Sequence, residues 1–384
     1  MIFAVSGRYK LNDREMDNFV VSARKYRPAT FASVVGQAHI TRTLKNAILT
    51  GQLPQAFLFC GPRGVGKTTC ARILAKTINC EHLTPEGEAC NECESCRTFN
   101  QGASMNIFEL DAASNNSVDD IRELVKQVYI PPTMGRFKVY IIDEVHMLST
   151  QAFNAFLKTL EEPPAYAKFI LATTEKQKII PTILSRCQVF DFKRIENRDI
   201  VEHLKYVATS EGVQFEEGAL EVIARKAEGG MRDALSTFDQ MVNFTQGNLT
   251  TNGVLENLNE LDSEYYFRLV AQLRSGNLSG ALLLANEVIR KGFGGQHFLT
   301  GLCEHLRNLL VSLDPQTLQL IDGGDALRQR YGQQAQACGL PLLLSWIDTA
   351  GDYEFRFREA ANKNLFIEIC MMKMARTTMP SAQG

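Results

Sequence analysis

No stretch of this sequence approaches the roughly 20 consecutive apolar residues that a membrane-spanning helix needs. The opening apolar run, Met1 to Val5, is too short for a signal peptide, so a cytoplasmic protein with no membrane partner is expected. Charge imbalance is also lacking. The formal net charge is −2, so any nucleic-acid contact must come from a local basic surface or from several subunits together. A disulfide framework is not in evidence either. Of the ten cysteines, Cys60, Cys70, Cys187, Cys303, Cys338 and Cys370 are scattered in apolar or mixed contexts, as reduced buried thiols are. Internal repeats and long low-complexity segments are missing.

What is present is a globular chain of 384 residues, 45% hydrophobic and 22% charged, long enough for two or three domains. Between about residues 55 and 192, short apolar runs alternate with helical patterns. Strands are expected at Ala56–Cys60, Ile107–Leu110, Val139–Ile142, Phe169–Thr173 and Gln188–Phe192. Helices are expected from Thr68 to Asn79, over Ile121, Leu124, Val125 and Val128, and over Phe153, Phe156, Leu157 and Leu160 until Pro163-Pro164. Ser117-Val-Asp-Asp120 reads as a weak capping box, with Asp where Glu is usual. Such alternation implies a parallel sheet covered on both sides, an α/β core. After Phe192 no further strand is expected. Arg198–Ser210, Glu217–Ala227 and a segment from Met231 read as helices, with Gly229-Gly230 as a break. From about 261 to 376 the pattern is helical, with loops at Gly276, Gly292–Gly295, Asp314-Pro315, Gly323-Gly324 and Gly339.

Gly61-Pro-Arg-Gly64-Val65-Gly66-Lys67-Thr68 fits the P-loop pattern, with a strand entering and a helix leaving. Glycines let the backbone N–H groups wrap a phosphate, and the helix N-terminus adds favourable partial charge. Lys67 is expected on the β- and γ-phosphates, with the Thr68 hydroxyl on Mg²⁺. The plainer alternative is an inert glycine-rich turn. Asp143 and Glu144 stand at the C-terminal end of the strand Val139–Ile142, where ligands of open α/β sheets bind. Asp143 is expected to hold Mg²⁺ and Glu144 to act as general base; the alternative is a solvated strand end.

Cys80, Cys90, Cys93 and Cys96 crowd into one short segment with two Cys-x2-Cys turns. Four sulfurs leave no open coordination position, so a structural zinc is expected. A redox dithiol or an iron–sulfur centre are the competing readings. Thr173 and Thr174 end a strand with hydroxyls. Arg186 (in Ser185-Arg-Cys187) and Arg232 (after Gly230-Met231) are candidate phosphate contacts; for each, a surface ion pair is the plainer reading.

One combination of motifs carries a resemblance. Ala23-Arg-Lys-Tyr-Arg-Pro28 with Phe31, Val34-Val35-Gly-Gln37, the P-loop, the four-cysteine insertion, Ile142-Asp-Glu-Val-His-Met-Leu148, Leu160-Glu-Glu-Pro-Pro164, Leu171-Ala-Thr-Thr174 and Ser185-Arg-Cys187 occur in that order. They resemble the gamma/tau family of bacterial DNA polymerase III, the AAA+ ATPases of the sliding-clamp loader, over roughly residues 19–375. The resemblance implies an ATPase core at 19–196 with the four-cysteine zinc module at 80–96, a helical lid at 197–260 and a helical collar at 261–384. It places Ala23, Arg24, Tyr26, Arg27, Pro28, Val34 and Val35 around adenine and ribose, and Thr69 beside the P-loop. It makes Thr174 the sensor-1 residue, Arg232 sensor 2, and Arg186 an arginine finger acting in trans on a neighbour's ATP. The implied cofactors are ATP, Mg²⁺ and structural Zn²⁺. The implied partners are delta, delta-prime and further gamma/tau copies in a pentameric ring, the sliding clamp, and primer–template DNA gripped by its backbone.

Residues 1–18 are expected to be a disordered leader, of which 1–16 are expected to come from a mis-assigned start or a vector remnant. The sequence stops at Gly384, soon after the expected collar, so the long tail of tau-type members is expected to be absent. Three rival readings remain open: a non-hydrolysing architectural subunit similar to delta-prime, another AAA+ machine such as a branch-migration ATPase, and a scaffold in which ATP only sets assembly.

Overall fold

The computed structural model describes residues 20–378 except 134, 259, 260, 262 and 322–324, and except the side chains of 325 and 326. The expected leader, Phe19 and the Gly323-Gly324 loop lie outside the described residues. In chain order the first part comprises α1 (Ser22–Lys25), a single 3-10 turn (Phe31–Ser33), α2 (Ala38–Leu49), β1 (Ala56–Cys60), α3 (Lys67–Ile78), α4 (Glu94–Asn100) and β2 (Ile107–Asp111). It continues through α5 (Val118–Val128), β3 (Lys138–Asp143), α6 (Thr150–Glu161), β4 (Ala167–Thr173), α7 (Pro181–Leu184) and β5 (Gln188–Asp191).

The five strands form one parallel sheet in the order β2-β3-β4-β1-β5. Alternate side chains of each central strand enter opposite layers. Leu58, Tyr140, Ile142, Phe169 and Leu171 pack against α5 and α6 through Ile121, Leu124, Phe153 and Phe156. Phe57, Phe59, Val139, Ile141 and Ile170 pack against α2 and α3 through Leu44, Ile48, Cys70 and Leu74. Burial on both faces is why these strands read as unbroken apolar runs. Ser117 and Asp120 exchange side-chain and backbone bonds at the start of α5, so the weak signal marks a complete capping box.

Beyond the sheet lie α8 (Asn197–Glu211), β6 (Gln214–Phe215), α9 (Glu217–Lys226), α10 (Met231–Phe244), β7 (Asn248–Leu249) and α11 (Thr251–Asn257). The expectation of no strand after Phe192 is therefore corrected. β6 and β7 form a two-residue parallel pair, Gln214 with Asn248 and Phe215 with Leu249. Two residues are too few to show a period of two. The helices share one apolar cluster, to which Ala23, Tyr26 and Val35 also contribute. The N-terminal segment is thus wedged between the sheet layer and this helical group. Ser22 N donates to Asp239 Oδ2 at 2.7 Å, and Lys25 pairs with Glu211 at 2.7 Å.

The last part is α12 (Ser263–Arg274), α13 (Leu278–Arg290), α14 (Gly295–Val311), α15 (Asp325–Cys338), α16 (Leu340–Arg356) and α17 (Lys363–Arg376). They enclose one cluster around Phe298, Leu302, Leu306, Trp346, Ile367 and Met371. Gly295, expected in a loop, is the first residue of α14. A Cβ there would come within 2.6 Å of Phe357 Cζ, so glycine serves close helix approach at this position. No helix among the described residues is long and apolar enough to cross a membrane.

Candidate nucleotide-binding site and cysteine cluster

Parallel pairing brings the C-terminal ends of the strands level. Cys60 pairs with Thr173, and Asp111 with Asp143, so the loops after β1, β3 and β4 open on one crevice. The chain leaves β1 through Gly61, Gly64 and Gly66, all with positive φ. Gly61 has a further reason to lack a side chain, since a Cβ would lie 2.5 Å from the Phe192 carbonyl oxygen. α3 then begins at Lys67, one residue earlier than expected, with its first N–H groups facing the loop.

A cleft of about 770 Å³ lies over this loop, large enough for a nucleotide. Its floor is Arg63 to Thr69 with Asp143 and Glu144, and its upper wall is Ala23, Arg24, Tyr26, Arg27, Pro28, Val34 and Val35. Met231, Arg232 and Leu235 of α10 close the third side. Arg232 N donates to the Gly64 carbonyl at 3.4 Å, which ties the start of α10 to the loop.

The floor is already organised. Thr68 Oγ1 donates to Asp143 Oδ2 at 2.7 Å, so a hydroxyl and a carboxylate meet at the strand end. Oxygen donors in this pairing suit a hard divalent cation such as Mg²⁺. Lys67 Nζ donates to the carbonyls of Gly61 and Pro62 at 2.8 and 2.7 Å. Burial lowers its pKa from the ordinary lysine value, with Glu144 and Asp143 acting against that shift. Arg27 is lowered as well, first by burial and then by Arg72, with Arg232 adding to it. Like charges crowded this way would be relieved by a polyphosphate anion.

Glu144 follows β3 in the left-handed conformation, at φ 48° and ψ 45°. This backbone is sparsely used by residues with a side chain, and such outliers collect at functional sites. The turn aims its carboxylate at the end of β4. Oε2 accepts from Thr174 N at 3.1 Å and from Thr174 Oγ1 at 2.9 Å. Thr174 thus reaches the cleft through Glu144 and does not itself line it. Arg186 is not part of this cleft. Its guanidinium meets Glu161 Oε1 at 2.6 Å and the Thr182 carbonyl at 2.8 Å, the surface ion pair that was the plainer expectation within one chain.

Several lining residues had no warning in the sequence. Asp111, Ala113, Ile195 and His203 join the cleft only because β2, the β5–α8 link and α8 fold over it. Burial lowers the His203 pKa, favouring a neutral imidazole. His146 carried a signal, standing two residues after Glu144. Its Nδ1 lies 3.3 Å from Glu144 Oε2 and 3.0 Å from Thr173 Oγ1, and its Nε2 lies 3.3 Å from Glu175 Oε1. Gln37, fully buried, donates to the Lys193 carbonyl at 2.7 Å and clamps α2 to the chain leaving β5.

Cys80, Cys90, Cys93 and Cys96 converge, with all four sulfurs within 4.8 Å of one another. Tetrahedral zinc with 2.3 Å bonds would set them about 3.8 Å apart, a modest contraction. Cys90 N donates to Cys80 Sγ at 3.3 Å, and Glu92 N and Cys93 N donate to Cys90 Sγ at 3.4 and 3.3 Å. The Cys93 N–H is the chief cause lowering Cys90 to about 6, whereas burial raises Cys80 and Cys96. Such N–H···S bonds support thiolates, so the donor set fits zinc.

Two family models match the sequence: DNA polymerase III, delta subunit, over residues 36–196, and DNA polymerase III clamp loader subunit, ATPase lid domain, over 199–247. The DNA polymerase III subunit tau of Bacillus subtilis is 41% identical over 359 residues, spanning 94% of this chain and 64% of that protein. The subunit tau/gamma of Haemophilus influenzae is 46% identical over 305 residues, spanning 78% of this chain and 44% of that protein. The subunit gamma of Buchnera aphidicola from Acyrthosiphon pisum is 37% identical over 295 residues, 77% of this chain and 81% of that protein. The chain therefore spans less than two thirds of the length of the first two.

Proposed function

The chain belongs to the gamma/tau family of AAA+ clamp-loader subunits of bacterial DNA polymerase III, and we propose from that premise that it is a cytoplasmic ATPase motor that loads sliding clamps on DNA. ATP would lie in the cleft, with adenine and ribose against Ala23 to Pro28 and Val34-Val35 and the phosphates on the loop. Lys67 would leave its two carbonyl partners for the β- and γ-phosphates. Thr68 and Asp143 would hold the Mg²⁺ ion, which screens phosphate charge. The observation that carries this reading is their 2.7 Å contact on the floor of a nucleotide-sized cleft.

Glu144 is the proposed base. Its contacts from Thr174 and the close approach of His146 fall on Oε2, so Oε1 is the oxygen left to take a proton from water. Thr174, as sensor 1, then reports the state of β4 to the base. Arg232, as sensor 2, would join lid to phosphate. Arg186 is the proposed finger: exposed and absent from its own cleft, it would leave Glu161 and the Thr182 carbonyl to serve a neighbouring subunit. Residues 19–196, 197–260 and 261–384 would serve as core, lid and collar of a ring with delta, delta-prime and further gamma/tau copies. ATP would favour the assembled state that holds an open clamp around primer–template DNA, and hydrolysis would release it. The DNA grip, made to the backbone, should weaken with salt and ignore sequence.

The test is ATP turnover of the chain mixed with delta, delta-prime, clamp and primed DNA. Arg186→Ala should cost about 10³-fold or more in stimulated turnover while nucleotide binding by the isolated chain stays unchanged. Unaltered stimulated turnover would overturn the finger. A Lys67→Ala chain that loads clamps like wild type would overturn the motor reading in favour of an architectural subunit.

A further inference from the structure

The segment that walls the cleft, Tyr26 to Val35, is held from behind by the cysteine module. Glu88, only 9% exposed, sits two residues before Cys90. Its carboxylate accepts from Phe31 N at 2.9 Å and from Ala32 N at 3.0 Å, and it pairs with Lys45 of α2 at 2.7 Å. These are charge-assisted bonds to N–H groups that open the 3-10 turn and have no partner within it. A tight turn presents Glu88: Gly87 N donates to the Thr84 carbonyl at 2.9 Å, and Glu88 N to Thr84 Oγ1 at 3.2 Å. A second tie lies on the other side of Cys90. Lys76, 3% exposed, donates from Nζ to Asn91 Oδ1 at 2.7 Å and to the Ala29 carbonyl at 3.1 Å. Asn91, at φ 62°, is held between Cys90 and Cys93, whose N–H···S bond fixes the knuckle.

Both ties therefore issue from residues that flank one metal ligand and end on the strap between Pro28 and Ser33. We propose that the cysteine module is a positioning element for nucleotide binding: a metal held by the four thiols sets Glu88 and Asn91, which hold the strap so that Arg27, Pro28, Val34 and Val35 face the nucleotide. Metal and nucleotide are then coupled ligands, and each tightens the other's binding. This rests on the reading of the cleft as the ATP site and of the cluster as a zinc site.

The experiment measures ATP affinity of the whole chain by calorimetry with Mg²⁺, together with zinc content and the rate of zinc release to a chromophoric chelator. Glu88→Ala should retain zinc and weaken ATP binding by about tenfold, the loss expected for charge-assisted bonds, with Glu88→Gln intermediate. Chelator-stripped wild type should show at least as large a loss, and stripping Glu88→Ala should add only the part carried by Asn91 and Lys76. ATP should slow zinc release from wild type and have a smaller effect on Glu88→Ala or Lys76→Met. Wild-type ATP affinity in both Glu88→Ala and Lys76→Met would overturn the proposal, as would wild-type affinity in stripped protein or zinc release indifferent to ATP. Glu88→Gln and Lys76→Met keep the test open if Glu88→Ala does not fold. A wild-type chain that binds no ATP would instead defeat the proposed function.

Discussion

Around the cleft, segments distant in the chain meet through polar atoms: Thr68 with Asp143, Gln37 with Lys193, Ser22 with Asp239, Glu88 with the Phe31–Ala32 turn. In the C-terminal helical part, α12 to α17 meet through apolar side chains, with Trp346 wholly buried at the centre and its Nε1 donating to the Met374 carbonyl at 2.9 Å. The two regions differ in what a substitution can change. A polar contact at the cleft is directional, so its loss alters the geometry of a site more than the stability of the fold. An apolar contact among the C-terminal helices is non-directional, so its loss is felt as stability.

The largest effect that should separate them is truncation at the centre of the C-terminal helices. Trp346→Ala should cost about 3–5 kcal/mol of stability by denaturant unfolding, with ATP affinity of the folded chain unchanged. A matching loss of ATP affinity would mean that the C-terminal helices reach the cleft. Arg186→Ala is the converse, a change in assembled turnover without a change in stability.

His305 is a polar exception among the C-terminal helices. It is 2% exposed, stacked by Tyr266 and met at a tilt by Tyr331, with Nδ1 lacking a partner. Gln334 Nε2 donates to the Phe267 carbonyl, which turns its Oε1 toward His305 Nε2 at 3.2 Å. Burial, reinforced by Arg330, lowers the imidazole to about 4. The unfolded chain titrates near 6.5, so between these values the unfolded state binds the extra proton. The stability contributed by neutral His305 is whole above about pH 6.5 and is lost as pH falls toward 4, by about 3 kcal/mol in all. Urea unfolding at pH 7.5 and 4.5 should show that loss, and His305→Gln should shrink it; an unchanged pH dependence in the variant would remove His305 as its cause.

The smallest effect belongs to the sheet layer. Ser117→Ala removes the α5 cap and should cost about 1 kcal/mol by thermal unfolding, without altering ATP affinity. A change in affinity would show that α5 takes part in the cleft despite lying behind the sheet.

Much of the core was legible because backbone geometry restricts the residues that can occupy it. Strands buried on both faces must be apolar runs, and β1 has the expected bounds, Ala56–Cys60. A phosphate loop needs glycine where φ is positive, as at Gly64 and Gly66. Acidic residues at strand ends, and thiols at metal spacing, are few enough to stand out. The β6–β7 pair was missed because two residues carry no period, and Gly295 was misread because glycine marks loops and close packing alike. His203, Asp111, Glu88 and Lys76 gave no signal. Each is a common polar residue whose role depends on what faces it.

Residue type and local spacing thus sufficed for the five strands of the main sheet, the glycine-rich loop, the four-thiol set and the helical character of the C-terminal third, since each is marked by a pattern along a short stretch of chain. Folding settled which distant groups meet: that Glu144 rests on Thr174, that Arg186 stands apart from its own cleft, and that Glu88 holds the strap from behind. These contacts join residues 30 to 57 positions apart in the first and last cases. No local rule of periodicity or turn chemistry reaches that far, and only the packing of the sheet against its helices brings them together.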